Sequence, residues 1–522
     1  MKKFLLILLL GVFIAGCSIK IKPLTLTELK QRVHNDFIQM YKHQKPVTHP
    51  VSLPEAIARA LKYNLDHRVK LAEIALSQRI YDLTSYNLLP TLALDAGYNS
   101  RSKYSGGTSQ SLLTGRESLE ASTSQDRDYE TLGLSVVWNI LDFGVTHATT
   151  LQKANQIMIA RERRRRVTQN MVQDVSDAYW RAVAAERLLK PIKELVAKVQ
   201  EARERSGTLS RIGLQNPEIA LNYQLRLLET MRQLQNTQEK LTLAKDQLAA
   251  LINLPPGTSY EVLIPKNYYK TPKLPMSLKQ LETKALLNQP ELREEDYIKR
   301  VKKLDVKKAF IRLFPGLEIS MGTEYNSNGY LYNNNWIQAG LRVTWNVLNV
   351  FTGGFAAQEE AKAQVVLADH RRFALSMAIL TQVWVSYHRY LLALKEVKLS
   401  NELYSLRSKM ENFTTQGAKA QVRNDLDVIL AQVQTLMSLV NKDIAYADLQ
   451  TSIAKIYHVI GIDPLPNSRI TTHKILTSKE TKKYTESTYA PDPKLTKDLP
   501  RITNAIKAQK KRATRQTKIH DK

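Results

Sequence analysis

The stretch GLEISMGTEYNSNGYLYNNNWIQAGLRVTWNVLN, residues 316–349, decides the fold. In it Leu317, Ile319, Met321, Thr323 and Tyr325 alternate with Glu318, Ser320, Gly322, Glu324 and Asn326. After a break, Ile337, Ala339, Leu341, Val343, Trp345 and Val347 alternate with Gln338, Gly340, Arg342, Thr344 and Asn346. A strict period of two puts one set on each face of a strand, here one apolar face and one polar face. Each run is about ten residues long, the length a tilted strand needs to cross a bilayer. Alternation alone serves a soluble half-buried sheet equally well.

The pattern occurs twice. Leu53–Asn99 aligns with Leu278–Asn326, pairing Ala60 with Ala285, Arg68 with Arg293, Pro90 with Pro315 and Gly97 with Gly322. Further on, GLSVVWNIL (133–141) pairs with GLRVTWNVL (340–348), then Tyr179 with Tyr387, Gln224 with Gln432 and Pro256 with Pro464. The register difference falls between the two blocks because the first copy has a longer Ser, Thr and Gly-rich loop at 100–128. In the first copy Leu92, Leu94, Ala96 and Tyr98, then Leu132, Leu134, Val136, Trp138 and Ile140, form the apolar sets. The chain is therefore read as two repeats, 53–257 and 278–465, joined by a Pro-rich linker at 258–277. Strands are expected at about 90–100, 129–141, 315–326 and 336–348.

Between the strands the period is helical, with helical hairpins expected at about 144–253 and 354–460. Leu188, Ile192, Leu195, Val199, Ala202, Ser206 and Leu209 step by four and three, as do Leu399, Leu403, Leu406, Met410 and Phe413. Leu227, Met231, Leu234, Gln238, Leu241, Lys245 and Leu248 form a third seam, and Val433, Leu436 and Val440 a looser fourth. These spacings define coiled-coil seams. Residues 144–211 alone extend to the order of 100 Å at about 1.5 Å per residue. Pro191 removes one backbone hydrogen bond and predicts a bend in the helix, not its end.

The chain opens with Lys2 and Lys3, an apolar run from Phe4 to Ala15, and Gly16, which reads as a signal peptide over 1–16. The segment Ile14-Ala15-Gly16-Cys17 resembles a bacterial lipobox and implies that Cys17 becomes the lipidated first residue of a segment 17–52. An ordinary signal sequence containing an apolar cysteine is the alternative. With a single cysteine in the sequence, no disulfide can form within the chain. The net charge is +27, and a third of it lies at 474–522, where 14 basic residues face 5 acidic ones; the whole of 466–522 reads as a basic, solvated tail. Arg161–Arg166, interrupted by Glu162, reads as a solvated helix face, with anionic lipid or cargo as the other use of its charge. A secretory signal argues against a nucleic-acid partner. Scattered histidines, the lack of a phosphate-cradling glycine loop and carboxylates spread along helices argue against an enzyme, a metal site and a cofactor.

Four amphipathic strands cannot close on themselves, and an open edge in lipid leaves unpaired amides costing several kcal/mol each. Other copies must close it. A ring of three chains gives twelve strands, enough for a barrel with a water-filled lumen. Trp138 and Trp345, at matching strand ends, are expected in an interfacial aromatic belt, with core packing as their alternative use.

With LPEAIARAL at 53–61, WNILDFG at 138–144, WNVLN at 345–349, RIGLQNP at 211–217, QGA at 416–418 and NDLDV at 424–428, the chain up to about Pro466 resembles the TolC-like outer-membrane efflux protein family. The resemblance implies a membrane β-barrel continuing into a periplasmic α-helical barrel. Its function would be the outer-membrane exit duct of a tripartite efflux pump or a type I secretion system. It further implies a homotrimer working with a periplasmic adaptor and an inner-membrane pump of the RND or ABC type. By the same resemblance, Arg211, Gly213, Leu214 and Asn216 form the first adaptor-docking tip and Gly417 and Asn424 belong to the second. Asp427 takes the place of an aspartate that narrows the periplasmic entrance, and Leu430 stands where some members carry a further aspartate. Turning the chain is the competing role of the tip residues, and helix capping that of Asp425 or Asp427. A periplasmic coiled-coil scaffold without a pore is the rival architecture; the paired alternating hairpins count against it.

Overall fold

The computed structural model describes residues 23–42, 44–118, 120–211, 217–266, 268–271, 274–422 and 424–462. After α1 (Leu26–Tyr41) the elements come in two rounds. The first is α2 (Leu53–Tyr63), α3 (Leu65–Tyr86), β1 (Thr91–Ser100), a loop holding the short ribbon β2 (Gly106–Gly107) and β3 (Ser122–Thr123), β4 (Asp128–Asn139), α4 (Ile140–Arg211) and α5 (Pro217–Leu251). The second is α6 (Leu278–Asn288), α7 (Pro290–Ile311), β5 (Gly316–Asn326), β6 (Asn335–Thr344), α8 (Phe355–Lys419) and α9 (Asp425–Val459). Corresponding helices match in length: α2 and α6 have 11 residues each, α3 and α7 have 22, and α5 and α9 have 35.

The same local chemistry ends each element in both rounds. The Trp-Asn pairs turn strand into helix. The Asn139 carboxamide oxygen accepts from the amides of Leu141 and Asp142 (3.1 Å each), and that of Asn346 accepts from Asn349 (3.0 Å). Strand pairing therefore stops at Asn139 and at Thr344, short of the expected 141 and 348. In the second copy Val347–Asn349 forms a helical turn, and a π-type turn at Val350–Gly354 leads into α8. The return helices close alike. Asn253 (φ 58°) and Gly461 (φ 69°) occupy the left-handed position after α5 and α9, with paired amide bonds back to Ala250 and Ala249, and to His458 and Tyr457. Glycine is required at 461, because a Cβ there would lie 2.6 Å from the Asn288 carbonyl oxygen. Pro191 lies inside α4, which continues through it.

The described residues divide into two compact units. One holds the described residues of 23–65, 174–270 and 397–448. Its core joins α4, α5 and α9 through Leu188, Ile192, Leu195, Val199, Leu227, Leu234, Leu241, Val433, Leu436 and Val440, all buried. Three of the four seams thus pack within the chain. The α8 seam does not: Leu399, Leu403, Leu406, Met410 and Phe413 are 49–74% exposed. The described residues of 258–270 are strapped to this unit. Val51 bridges Val262, Tyr179 Oη donates to the Leu263 carbonyl (2.7 Å) and Tyr260 Oη to that of Lys245 (2.5 Å). Beneath the strap Asp443, 0% exposed, accepts from Arg187 Nη1 (3.0 Å) and from Tyr269 Oη, while Arg187 stacks on Tyr268 (4.3 Å) and Tyr269 (5.0 Å). Burial pushes the Asp443 carboxyl above the usual carboxylate range, against the pull of Tyr269, Arg187 and Lys442.

The other unit holds 66–173, 271–396 and the end of α9, and contains the sheet. The strands run β1-β4-β5-β6, all antiparallel, so that β1 and β6 each keep one unpaired edge. The basic run of α4 is not a bare solvated face. Arg163 pairs with Glu294 (2.6 Å), Arg166 with Glu291 (3.5 Å) and Arg165 with Glu162 (3.4 Å), and Arg165 also donates to the Gly461 carbonyl (2.8 Å). His458 Nε2 lies 2.6 Å from Asn170 Oδ1, and its Nδ1 has no hydrogen-bond partner. Burial, reinforced by Lys455, depresses its pKa to about 4. The folded state therefore holds the ring neutral where the unfolded chain, near pKa 6.5, protonates it. The stability this contributes is complete above pH 6.5 and is lost as pH falls toward 4. Urea unfolding at pH 7 and pH 4.5 should show wild type losing on the order of 1–3 kcal/mol more than His458→Gln; equal losses would mean that the ring is not held neutral.

Candidate functional site

Strand register joins the apolar sets into one continuous face. Leu94 pairs with Leu134 and Leu134 with Thr323, and Thr323 pairs with Ile337. One row on, Leu92, Val136, Met321 and Ala339 are joined in the same way. No described residue covers this face: Leu92, Leu94, Met321, Ile337, Leu341 and Val343 are 59–71% exposed. So large a contiguous apolar surface needs a non-aqueous neighbour. The opposite face carries Asp95, Glu324, Ser320 and Gln338, with Glu318 facing Arg342 at 3.8 Å and Trp336 opposite Glu324. Gly97, Gly133, Gly322 and Gly340 lie on this polar face as well. A Cβ at Gly322 would sit 2.9 Å from the Leu134 carbonyl oxygen, which marks the polar side as the crowded inside of a curve.

Aromatic rings bound the apolar face. At the helix end, Trp138 meets Phe143 edge-on (5.6 Å), and Trp345, just past β6, donates through Nε1 to the Leu313 carbonyl (3.0 Å). Both indoles are partly exposed, at 39% and 52%, so neither is a core residue of the isolated chain. Phe310 and Phe314, on either side of Leu313 in sequence, pack edge-on against each other (5.1 Å), and Phe351 and Phe355 are exposed. At the loop end stand Tyr98 and Tyr325. Along β1, from the row of Trp138 to Tyr98 is about eight residues, or roughly 27 Å, the height of an outer-membrane apolar band. The two loops at that end are tied together: Asn328 Oδ1 accepts from Asp126 N (2.9 Å) and Ser327 Oγ from Glu130 N (2.7 Å).

At the second tip the reversal is made four residues beyond Gly417. Gly417 lies in the last turn of α8 and accepts from Val422 N (2.9 Å), and Gln421 takes the left-handed position (φ 60°). Asn424 is the cap of α9, its side chain accepting from Asp427 N (2.8 Å), so neither aspartate has that task. Asp427 is half-buried in the first turn of α9. Leu430 packs partly against the core of its own unit, which limits what it can add to a constriction. Arg211 ends α4. Gly213, Leu214, Asn216 and Cys17 lie outside the described residues, as do the signal peptide and the basic tail. Sequence reasoning missed the phenylalanines at 310 and 314 and the Arg187–Asp443 pair under the strap. Their signals were an i, i+4 aromatic pair running into a strand, and adjacent tyrosines in an otherwise plain linker.

No described helix is long and apolar enough to cross a membrane. Among the described residues no group of His, Cys, Asp and Glu is placed to hold a metal ion. A duplicated antiparallel sheet with one bare apolar face leads at one end into long helices. The family model described as "Outer membrane efflux protein" matches residues 56–254. No match was found among curated protein sequences. Solved structures agree on the fold. The CmeC outer membrane channel of Campylobacter jejuni is 12% identical, with TM-score 0.63 over 87% of this chain and 95% of that one. VceC of Vibrio cholerae is 14% identical, with TM-score 0.59 over 78% and 96%, and the MtrE channel of Neisseria gonorrhoeae is 20% identical, with TM-score 0.55 over 78% and 89%. Residues 56–254 thus match the outer membrane efflux protein family, and over the longer span the fold is that of the solved outer-membrane channels.

Proposed function

We propose that the protein is the outer-membrane exit duct of a tripartite efflux pump or type I secretion system, a passive homotrimeric channel from periplasm to exterior. One observation carries this reading: the apolar sheet face is bare over all four strands while both sheet edges stay open. Three copies joined β6 to β1 give twelve strands and no edge, with polar faces lining the lumen. The helices support the same ring. The exposed stripe Leu221, Leu225 and Leu228 on α5 and the stripe Leu399 to Phe413 on α8 are different surfaces, so copies meet head to tail and a cyclic ring closes.

In this reading 1–16 directs export, Cys17 carries the lipid anchor, and Trp138 and Trp345 sit at the membrane–water interface. Arg211, Gly213, Leu214, Asn216, Gly417 and Asn424 meet a periplasmic adaptor and an inner-membrane pump of the RND or ABC type. Three copies of Asp427 ring the periplasmic entrance and favour cations. Single-channel recording of the purified trimer in a planar bilayer tests it, with Asp427→Ala alongside. Discrete cation-preferring openings are expected, with the preference severalfold weaker in the variant. Openings unchanged by the substitution would remove the entrance assignment, and silence from an inserted trimer would defeat the duct.

A further inference from the structure

The second half of α7 is strongly basic, and its cations fall into two classes. Lys299 and Lys302 reach α8, at Asp369 (2.5 Å) and Gln364 (2.6 Å), and Lys308 reaches Gln152 of α4 (2.7 Å). Glu294 and Asp305 also point to α4, toward Arg163 and Gln152. On a helix of 3.6 residues per turn, these positions occupy one half of α7. The other half carries Arg300, Lys303 and Lys307, then Phe310, with Phe314 in the turn beyond; all five are exposed. Among the described residues none of these three cations makes an ion pair within 4 Å; Lys303 adds only its more distant charge to Asp369, which Lys299 already holds.

We infer that this stripe binds the anionic headgroups of the membrane leaflet that surrounds the helix end of the sheet. The inference rests on the outer-membrane reading and extends it. Phe310 and Phe314 join the aromatic end of the lipid-facing sheet, next to the carbonyl that Trp345 holds. Lys307 and Lys303 lie about one and two helical turns below Phe310, roughly 5 and 10 Å. The headgroup layer is about 5–8 Å deep on each side, and lysine side chains extend several ångströms further. Arg300, one turn lower, stays within a Debye length of about 8–10 Å of that charged layer. All three cations are exposed, so little desolvation opposes such contact, and each added cation near an anionic surface strengthens it.

The test is reconstitution of the full-length protein into phosphatidylcholine vesicles containing brominated phosphatidylglycerol or brominated phosphatidylcholine. Quenching of tryptophan fluorescence then gives the relative affinity for the two headgroups. Wild type should prefer phosphatidylglycerol by about threefold or more at low salt, and the preference should fall as salt rises. Arg300→Glu/Lys303→Glu/Lys307→Glu should abolish the preference, and the milder Lys303→Gln/Lys307→Gln should halve it while leaving the oligomer intact. An unchanged preference in both variants overturns the inference. So does unchanged preference combined with altered ion selectivity, which would place the stripe on the lumen, or with loss of the oligomer, which would place it against a second copy. If neither lipid quenches wild type, the protein is not inserted, and the outer-membrane reading itself fails.

Discussion

Leu134→Arg is expected to remove the protein from the outer-membrane fraction, while Gln338→Arg leaves it there as an intact oligomer. Leu134 lies in the middle row of the apolar face, between Leu94 and Thr323, about equally far from the two aromatic ends. An arginine at the midplane of a lipid-facing strand costs about 2–4 kcal/mol, and a ring of three repeats the cost three times. Gln338 is on the other face, opposite Gly322 and hydrogen-bonded to Glu324, where an arginine meets water and a carboxylate. The check is the yield of oligomer extracted from membranes for each variant. Equal yields would mean that lipid does not cover the apolar face.

The second large effect lies under the strap. Asp443→Ala should destabilise its unit by about 3–5 kcal/mol, because it leaves the Arg187 guanidinium half-buried without its counter-charge and Tyr269 without its acceptor. Asp443→Asn keeps an acceptor for Tyr269 and the volume of the side chain, so its loss should be about half as large. Hydrogen exchange of amides in residues 184–199 and 433–440 separates these outcomes. Similar protection in all three proteins would show that the strap, not the ion pair, carries the stability.

What was legible in the sequence was what repeats at short period. Alternation at 317–325 and 337–343 needs no distant partner to be read, and the duplication made each copy a check on the other. Strand ends were less legible. The alternation continues through Ile140 and Val347, yet Asn139 and Asn346 cap helices and end the pairing first. The second tip was placed at Gly417 and Asn424 by the resemblance of QGA and NDLDV to the family, and nothing in those motifs marks Gln421, which takes the left-handed conformation of the reversal. The arginine run on α4 looked solvated because its carboxylates, Glu291 and Glu294, arrive from about 130 residues away. The α8 seam was read as a seam and is bare, since no described residue of the same chain covers it.

The even number of strands has a consequence for what the cell exposes. A chain that crosses four times returns to the side it left, so α3, α4, α7 and α8 all join the sheet at one end. Among the described residues only the loops 101–127 and 327–334 lie at the other. If that end faces outward, antibodies and phages see about one residue in fifteen, in two loops pinned to each other at Asn328 and Ser327. Such a surface can change its antigenic character through a few loop residues, while the rest of the chain remains hidden from the selection acting on it.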